Sequence, residues 1–472
     1  MRISDLINLA QRYLTLGLVA LVVMALVFVI GYFLVYRRVL KGEKKVRVVR
    51  LLWWAVLICY VIVVIGATLM GRSGFWQNTK IMPLFYSYLE AWVNFSTSSW
   101  RNIILNICMF VPLGFWLPVG MKKFRCFWKT YLTGFAFTML IELTQLLLKR
   151  GIFELDDIMN NTLGTMIGYG CFVFAYAVCA YIRKNKEEKR SLVSILALQL
   201  PLVITLAVFM TIFVTYEQKE LGNVSYQYIY KYDKDLIDVT TTKTYSDQRT
   251  ELPVYISPTA SKEECIQFAE QFFHGLGEEL DQTRNDFYND TAIFYAMDTY
   301  NLWVDYKGET YSFTDFDALF EEVSSEKRAN VSEKEIREAL LTYQIDVPKQ
   351  AEFKVLESGQ YQFTADMISE GSGIINGSLV CGYYGNRRFS TIENNLISCS
   401  LYKQLEAISE KEAYERICEG KFNSYESGRI TLEVRECKLK YVLDTKGFYQ
   451  PVYQFACTVN GQEETITIPA LK

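Results

Sequence analysis

The chain has 472 residues, of which 51% are hydrophobic and 15% aromatic, and its formal net charge is −3. This length allows two or three domains, but the apolar residues crowd into the first half, before about residue 216. A purely soluble architecture is therefore excluded. No basic face is evident outside the apolar half, which argues against nucleic acid as a partner.

Six apolar runs approach the ~20 residues needed to cross a bilayer. They cover residues 14–36, 51–69, 103–121, 130–148, 158–182 and 192–215. The first is too long for a signal peptide, and its positive charges follow it rather than precede it, so it is interpreted as a retained helix. The predicted fold class is a polytopic α-helical membrane protein with six transmembrane helices and a C-terminal extracytoplasmic α+β domain.

Basic residues concentrate in the loops around residues 37–50, 122–129 and 183–190. With six spans, all three loops fall on one side of the bilayer, which the positive-inside rule assigns to the cytoplasm. The sequence thus predicts a multi-pass protein of the bacterial plasma membrane, with its N-terminus and its C-terminal domain outside. The predicted parts are residues 1–65, 66–182, 183–215 and 216–472.

Polar side chains interrupt three of the spans near their predicted outer ends, where charged groups are costly and usually functional. Residues four or three apart share a helix face, as in Asn102 with Asn106 and Glu142 with Gln145. An aromatic-rich loop before the third span is expected to lie partly in the membrane interface, above these groups. The candidate site residues are Arg72, Asn102, Asn106, Glu142, Gln145, Arg150, Asp156, Asp157, Asn160 and Asn161.

The segments FVPLGFWLPV, IELTQ and DDIMNNTLGTMIGY, with Arg150 between the last two, resemble the VanZ-like membrane proteins. The resemblance covers about residues 66–182, with Arg72 and Pro83-Leu84-Phe85 as upstream matches. The first two spans lie outside it. It implies a polytopic bacterial membrane protein and, from the founding type, a lowered susceptibility to the glycopeptide teicoplanin. It implies no reaction mechanism.

Several interpretations of the polar residues remain open. They could join neighbouring helices by hydrogen bonds, at about 1 kcal/mol each, or form an outward-facing pocket for envelope lipid, a lipid-linked wall precursor or a glycopeptide. A membrane enzyme acting on a lipid-linked or phosphorylated substrate could use Glu142 with Asp156 and Asp157, with Arg72 or Arg150 holding a phosphate. No nucleophile is marked, so binding is favoured over catalysis.

Metal and cofactor chemistry receives little support from the residue inventory. Carboxylates and amides could bind Mg²⁺ or Ca²⁺, but the single histidine, His274, excludes a two-histidine zinc site and a membrane Ser/His/Asp triad. No cofactor or metal is predicted. His274 is expected near a helix end, and Gly164 with Gly168 is expected to serve helix packing.

Beyond residue 216 the pattern changes to that of a soluble α+β domain. Strand-like alternation begins with VSYQYIYKY, and three helix starts carry a capping-box pattern of Ser followed three residues later by Glu. The last of these helices precedes an antiparallel meander with turns at Thr445-Lys446-Gly447 and Asn460-Gly461. The helix-then-meander pattern is faintly similar to the YycH/YycI and PepSY-type extracytoplasmic modules.

No catalytic constellation is visible in this part of the sequence, which favours a binding or regulatory module. A further interpretation makes it a sensor or partner-binding module that controls the membrane part, with an envelope protein as a partner besides the lipid bilayer. The domain has six cysteines, enough for three disulfides, although free thiols fit equally well. Its many aromatic residues are interpreted as sheet packing rather than as a ligand-binding stripe.

Overall fold

The computed structural model describes residue 30 and residues 48–70, 81–149, 152–183, 191–225, 231–288, 290–320, 331–357, 359–422 and 428–471. The chain divides into two compact units, Met1–Glu220 and Leu221–Lys472. The first predicted span, residues 14–36, lies outside the described residues apart from Ile30. Arg72, Arg150 and most of VSYQYIYKY also lie outside them.

The first unit is helical. Its helices are α1 (Val48–Ile65, continued by a π-helical turn Gly66–Met70), α2 (Tyr86–Asn94), α3 (Thr97–Gly120), α4 (Phe127–Leu148), α5 (Leu155–Ile182), α6 (Leu192–Ala197) and α7 (Leu200–Gln218). A short 3₁₀ helix, Lys122–Arg125, precedes α4. Two short strands, β1 (Ile81–Met82) and β2 (Phe153–Glu154), pair in parallel.

Five helices of the described residues are long and apolar enough to cross a membrane. They are Val49–Leu69, Thr97–Gly120, Phe127–Leu148, Leu155–Ile182 and Leu200–Gln218. The predicted last span, residues 192–215, was placed too early. The chain breaks at Leu198 and Gln199 because Pro201 lacks an amide hydrogen and suits the first turn of a new helix.

Small residues bring α3 and α5 into close contact. A Cβ atom on Gly164 would lie 2.0 Å from the carbonyl oxygen of Ile107, and one on Gly168 would lie 2.0 Å from that of Val111. On the facing helix, a Cβ on Gly114 would lie 2.0 Å from the carbonyl oxygen of Thr165. The predicted packing role of Gly164 and Gly168 is therefore confirmed.

The helices alternate in direction, so the bundle has two chemically different ends. Trp53 and Trp116 exchange hydrogen bonds from their indole nitrogens to each other's backbone carbonyls (3.1 and 3.2 Å), joining the start of α1 to the end of α3. At the opposite end, Tyr216 of α7 stacks on Phe95, which precedes α3. We call the end where α1, α4 and α7 finish the polar end, and the other the basic end.

The second unit is built on a 14-stranded sheet. Its strands are β3 (Ile237–Thr241), β4 (Glu251–Ile256), β5 (Asp286–Phe287), β6 (Thr291–Ala296), β7 (Tyr300–Asp305), β8 (Tyr311–Asp315), β9 (Glu352–Glu357), β10 (Gln360–Glu370), β11 (Gly373–Gly385), β12 (Arg388–Asn394), β13 (Ile397–Glu406), β14 (Ile430–Leu443), β15 (Phe448–Val459) and β16 (Gln462–Pro469). The main order is β3-β14-β15-β4-β13-β11-β12-β8-β7-β6-β5.

Branches complete the sheet: β16 pairs with β15, β10 with β11, and β9 with β10. The helices of this unit are α8 (Lys262–Gly275), α9 (Phe316–Phe320), α10 (Glu333–Thr342) and α11 (Glu410–Cys418). One buried core joins α8 and α10 to the sheet around Phe273, Phe313 and Phe363. A second core joins α11 to β14, β15 and β16.

The helix starts and the C-terminal meander predicted for this unit are present in the structure. Ser261 and Ser409 form complete capping boxes with Glu264 and Glu412. At the third start, Ser332 Oγ accepts from the Glu335 amide, while the Glu335 carboxylate accepts from the Tyr383 hydroxyl. The meander β14-β15-β16 is confirmed, with both predicted turns, and His274 lies in the last turn of α8.

All eleven cysteines lie in the described part of the chain and are free. Burial raises the pKa of Cys265 and Cys457 to about 11 and that of Cys381 to about 12. These thiols therefore stay protonated near neutral pH and pack as small apolar groups.

Candidate functional site

The first turn of α5 places two adjacent aspartates in different surroundings. Asp156 is 1% exposed, and its carboxylate accepts from the backbone amides of Phe85 (2.5 Å) and Ser87 (2.7 Å) at the start of α2. These are amides that a helix start leaves without intrahelical partners. Asp156 therefore caps α2 from a distant part of the chain.

Two further contacts fix α2 over α5. The Ser87 hydroxyl donates to Glu154 Oε2 (2.9 Å), and the Tyr88 hydroxyl donates to Asn160 Oδ1 (2.5 Å). Burial, with a smaller contribution from Asp156, raises the pKa of Tyr88 to about 12, so the phenol remains a donor at neutral pH. These contacts support the expectation that the aromatic loop covers the polar residues. Tyr88 is one of the aromatic residues of that loop, whereas Ser87 carried no signal in the sequence.

Asp157 turns to the other side, toward α3. Its Oδ1 accepts from Asn106 Nδ2 at 2.5 Å. Asn106 is half-buried, whereas Asn102, one turn earlier, is exposed. The structure thus brings Asn106 into the site and leaves Asn102 at the edge of the bundle.

Polar groups also run along the contact between α4 and α5, which we call the α4–α5 seam. A Cβ atom on Gly134 would lie 2.3 Å from Thr165 Oγ1, and Asn161 Nδ2 donates to Thr138 Oγ1 at 2.8 Å. The two helices are antiparallel, and the contacts advance by four residues on each. The next step along the seam therefore places Glu142 at the same depth as Asp157. Glu142 is 1% exposed, and its Oε2 accepts from the backbone amide of Glu154 at 3.3 Å.

The site contains buried polar atoms that have no hydrogen-bond partner within the described residues. They are Gln145 Oε1, Asn160 Nδ2 and Asn161 Oδ1, in side chains at most 2% exposed. In each case the other end of the amide is engaged, as with Gln145 Nε2, which donates to the Thr68 carbonyl at 3.0 Å. Each such atom costs about 1–3 kcal/mol unless something satisfies it. Within the described residues, two acceptors and one donor of the site are therefore available for a further hydrogen-bonding group.

We call this set the polar cluster: Asn106, Glu142, Gln145, Asp156, Asp157, Asn160 and Asn161. All of its members lie at the polar end of the bundle. Among the described residues, no group of three or more His, Cys, Asp or Glu has the arrangement of a metal site. The carboxylates and amides of the cluster can bind a ligand by hydrogen bonds and charge.

The comparison that bears on this region is with a protein family. Residues 48–176 match the family described as VanZ/LLP1. This segment is a VanZ-like domain. It begins earlier than the resemblance predicted, so the span at residues 51–69 belongs to it rather than lying outside. The VanZ-like domain contains the entire polar cluster and all of α2.

Two solved structures show a faint likeness to the chain. An uncharacterized protein from Eubacterium rectale shares 12% identity at a TM-score of 0.27, covering 50% of this chain and 90% of that chain. The YpeB C-terminal domain of Bacillus megaterium shares 12% identity at a TM-score of 0.22, covering 46% of this chain and 95% of that chain. No curated protein matches the chain significantly.

Proposed function

We propose that this VanZ-like protein lies in the bacterial plasma membrane with its polar end outward and binds the polar headgroup of an envelope lipid or a lipid-linked wall precursor. The observation that carries the proposal is the set of unmatched buried atoms on Gln145, Asn160 and Asn161. A headgroup offers both donors and acceptors. It could satisfy these atoms without leaving the membrane surface.

Charge distribution supports the orientation. The basic end carries Arg50, Lys122, Lys123, Arg125, Lys129 and Arg183. Described basic residues at the polar end are fewer: Arg101, Lys149 and Lys219. Because cytoplasmic loops are enriched in Lys and Arg, the polar end is assigned to the outside. The same rule gives the C-terminal unit an extracytoplasmic location.

Binding is favoured over catalysis by what the aspartates contact. Asp156 is committed to the amides of α2, which removes it from the acid–base pair considered from sequence. Glu142 and Asp157 lie at the same depth of the bundle, where their carboxylates can accept hydrogen bonds from a bound headgroup. Turnover of a lipid-linked precursor by the purified protein would instead establish an enzyme.

A headgroup held beneath α2 would be shielded from large antibiotics that recognise wall precursors. This consequence agrees with the teicoplanin phenotype that the family resemblance implies. Resistance then follows from masking the target rather than from destroying the drug.

The experiment compares teicoplanin and vancomycin susceptibility in cells expressing wild type, Glu142→Gln or Asp157→Asn at matched membrane abundance. Both substitutions keep the shape of the side chain and remove its charge. We expect wild type to protect and both variants to lose most of that protection. Asn102→Ala, at the exposed position of the same region, is the matched control and should protect like wild type.

Equal protection by wild type and both charge variants would assign the polar cluster to helix packing alone. Protection by none of them would remove glycopeptide susceptibility from the proposal. Binding of a lipid-linked precursor to purified wild type, weakened by Glu142→Gln, would then remain as the direct test of headgroup recognition.

A further inference from the structure

The sheet of the C-terminal unit has one face on which a tryptophan is displayed. Along β7, Leu302 and Val304 are buried at 0% and 3% exposure, whereas Trp303, which points to the opposite face, is 46% exposed. The large aromatics of this unit mostly fill its cores, as predicted from sequence. Trp303 departs from that pattern, and a half-exposed indole on a sheet face is a frequent mark of a binding surface.

Strand register surrounds this indole with polar side chains. Trp303 pairs with Ser312 on β8, and Ser312 pairs with Glu393 on β12. Because alternate residues share a face, Asp305 and Thr314 lie on the same side two positions along their strands. A cavity of about 400 Å³ is lined by Trp303, Asp305, Ser312, Thr314, Glu393 and Asn395, among others.

Some polar side chains of the cavity are held in place by hydrogen bonds, and others are exposed to solvent. The Asp305 carboxylate accepts from the hydroxyls of Thr291 (2.5 Å) and Thr310 (2.7 Å), which hold its orientation. Glu393 and Asn395 are exposed, so their side chains can reach a molecule in the cavity. The surface thus offers one flat apolar ring bordered by preset and adaptable hydrogen-bonding groups.

We propose that this face binds an oligosaccharide, with one pyranose ring stacked on Trp303. A pyranose has an apolar face of C–H groups and a rim of hydroxyl or acetamido groups, which complements an indole bordered by Ser312, Thr314, Glu393 and Asn395. A cationic ligand fits less well, since cation-binding cages use several aromatic rings. Here hydroxyl, amide and carboxylate groups border one exposed indole, because the other aromatic residue of the lining, Tyr311, packs its ring on Phe268 and Phe272. The inference does not depend on the headgroup site proposed above.

Calorimetric titration of the full-length protein tests it. The protein is held in lipid nanodiscs or a detergent without a sugar headgroup, because alkyl glycosides would compete for the site. The probes are the β-1,4-linked N-acetylglucosamine hexamer, cellohexaose and maltohexaose. We expect at least one of the three to bind wild type.

Trp303→Ala should weaken that binding about tenfold or more, equivalent to about 1.4 kcal/mol. Trp303→Phe keeps a ring and should give an intermediate loss, and Asn395→Ala tests the rim without altering the ring. Phe320→Ala removes another exposed aromatic, 78% exposed, and should bind like wild type. Glu142→Gln should also bind like wild type, which separates this site from the membrane cluster.

The proposal is overturned if none of the three oligosaccharides binds, or if Trp303→Ala and Asn395→Ala, folded as judged by thermal unfolding, bind as tightly as wild type. It is equally overturned if the surface binds an oligolysine peptide instead, in a manner abolished by salt and by Glu393→Gln. That result would assign the face to cationic ligands.

Discussion

Two neighbouring aspartates illustrate how position within one helical turn decides a residue's task. Asp156 faces α2 and accepts from two backbone amides, whereas Asp157 faces α3 and accepts from the Asn106 amide. Adjacent helical residues differ in direction by about 100 degrees. The first aspartate therefore organises the cover of the site, and the second belongs to the site itself.

This difference predicts a separation of stability from function. Asp156→Asn weakens two charge-assisted hydrogen bonds, because an amide has one oxygen and no charge, and should lower the free energy of unfolding by about 2 kcal/mol. The measurement is equilibrium unfolding of the purified protein in mixed micelles. Asp157→Asn, the matched control, can still accept from Asn106 and should cost less. An equal or larger loss for Asp157→Asn would contradict the capping role of Asp156.

The candidate residues could be named from the sequence, but which element each side chain contacts could not. Polar side chains in apolar spans stand out because a bilayer disfavours them, so Glu142, Gln145 and Asn161 could be named from sequence. Asn102 shares a helix face with Asn106 yet is exposed, since the cluster begins one turn deeper. Ser87 was missed, and Tyr88 was marked only as an aromatic residue of the covering loop, because only tertiary structure brings α2 onto α5.

At the scale of elements, the contact between α3 and α5 depends on the absence of side chains. The backbone carbonyls of Ile107 and Val111 occupy the space where Cβ atoms of Gly164 and Gly168 would stand. Such close approach permits dispersion contacts along the two helices, which drive helix association in lipid. It also sets the distance across which Asn106 reaches Asp157.

Gly164→Ala should therefore destabilise the bundle. The added methyl group meets rigid backbone at Ile107, and overpacking of this kind costs about 1–3 kcal/mol. Unfolding in mixed micelles measures it. Val178→Ile, which adds one carbon at an exposed position of α5, is the control and should have little effect. Wild-type stability of Gly164→Ala would show that the two helices are not held in this contact.

Elements were predictable where the signal was local. Apolar length gave the spans close to their observed ends, and Ser–Glu spacing gave three helix starts in the C-terminal unit. The start of α7 was misplaced because the apolar run continues across the break before Pro201, so apolar length alone does not reveal the new helix start. Helix α2 was not foreseen as a helix, since its nine residues depend on a cap supplied by Asp156.

At the scale of the molecule, the two units differ in how much of their structure is encoded by local sequence. The membrane unit follows from alternating spans, which hydropathy reveals. The sheet of the C-terminal unit relies on distant pairings, such as the parallel pairing of β14 with β3 and the antiparallel pairing of β13 with β4. Alternation along a strand shows which face is buried but not which strand lies beside it, so this topology was beyond sequence reasoning.

The central claim is that the polar cluster opens to the outside of the cell, and residue accessibility tests it most directly. Ile152→Cys lies beside β2 at the polar end, and Lys123→Cys lies at the basic end. Each is placed in a background without the native cysteines and treated in intact cells with a membrane-impermeant maleimide. We predict labelling of Ile152→Cys in intact cells and of Lys123→Cys only after permeabilisation; the reverse pattern would contradict the account.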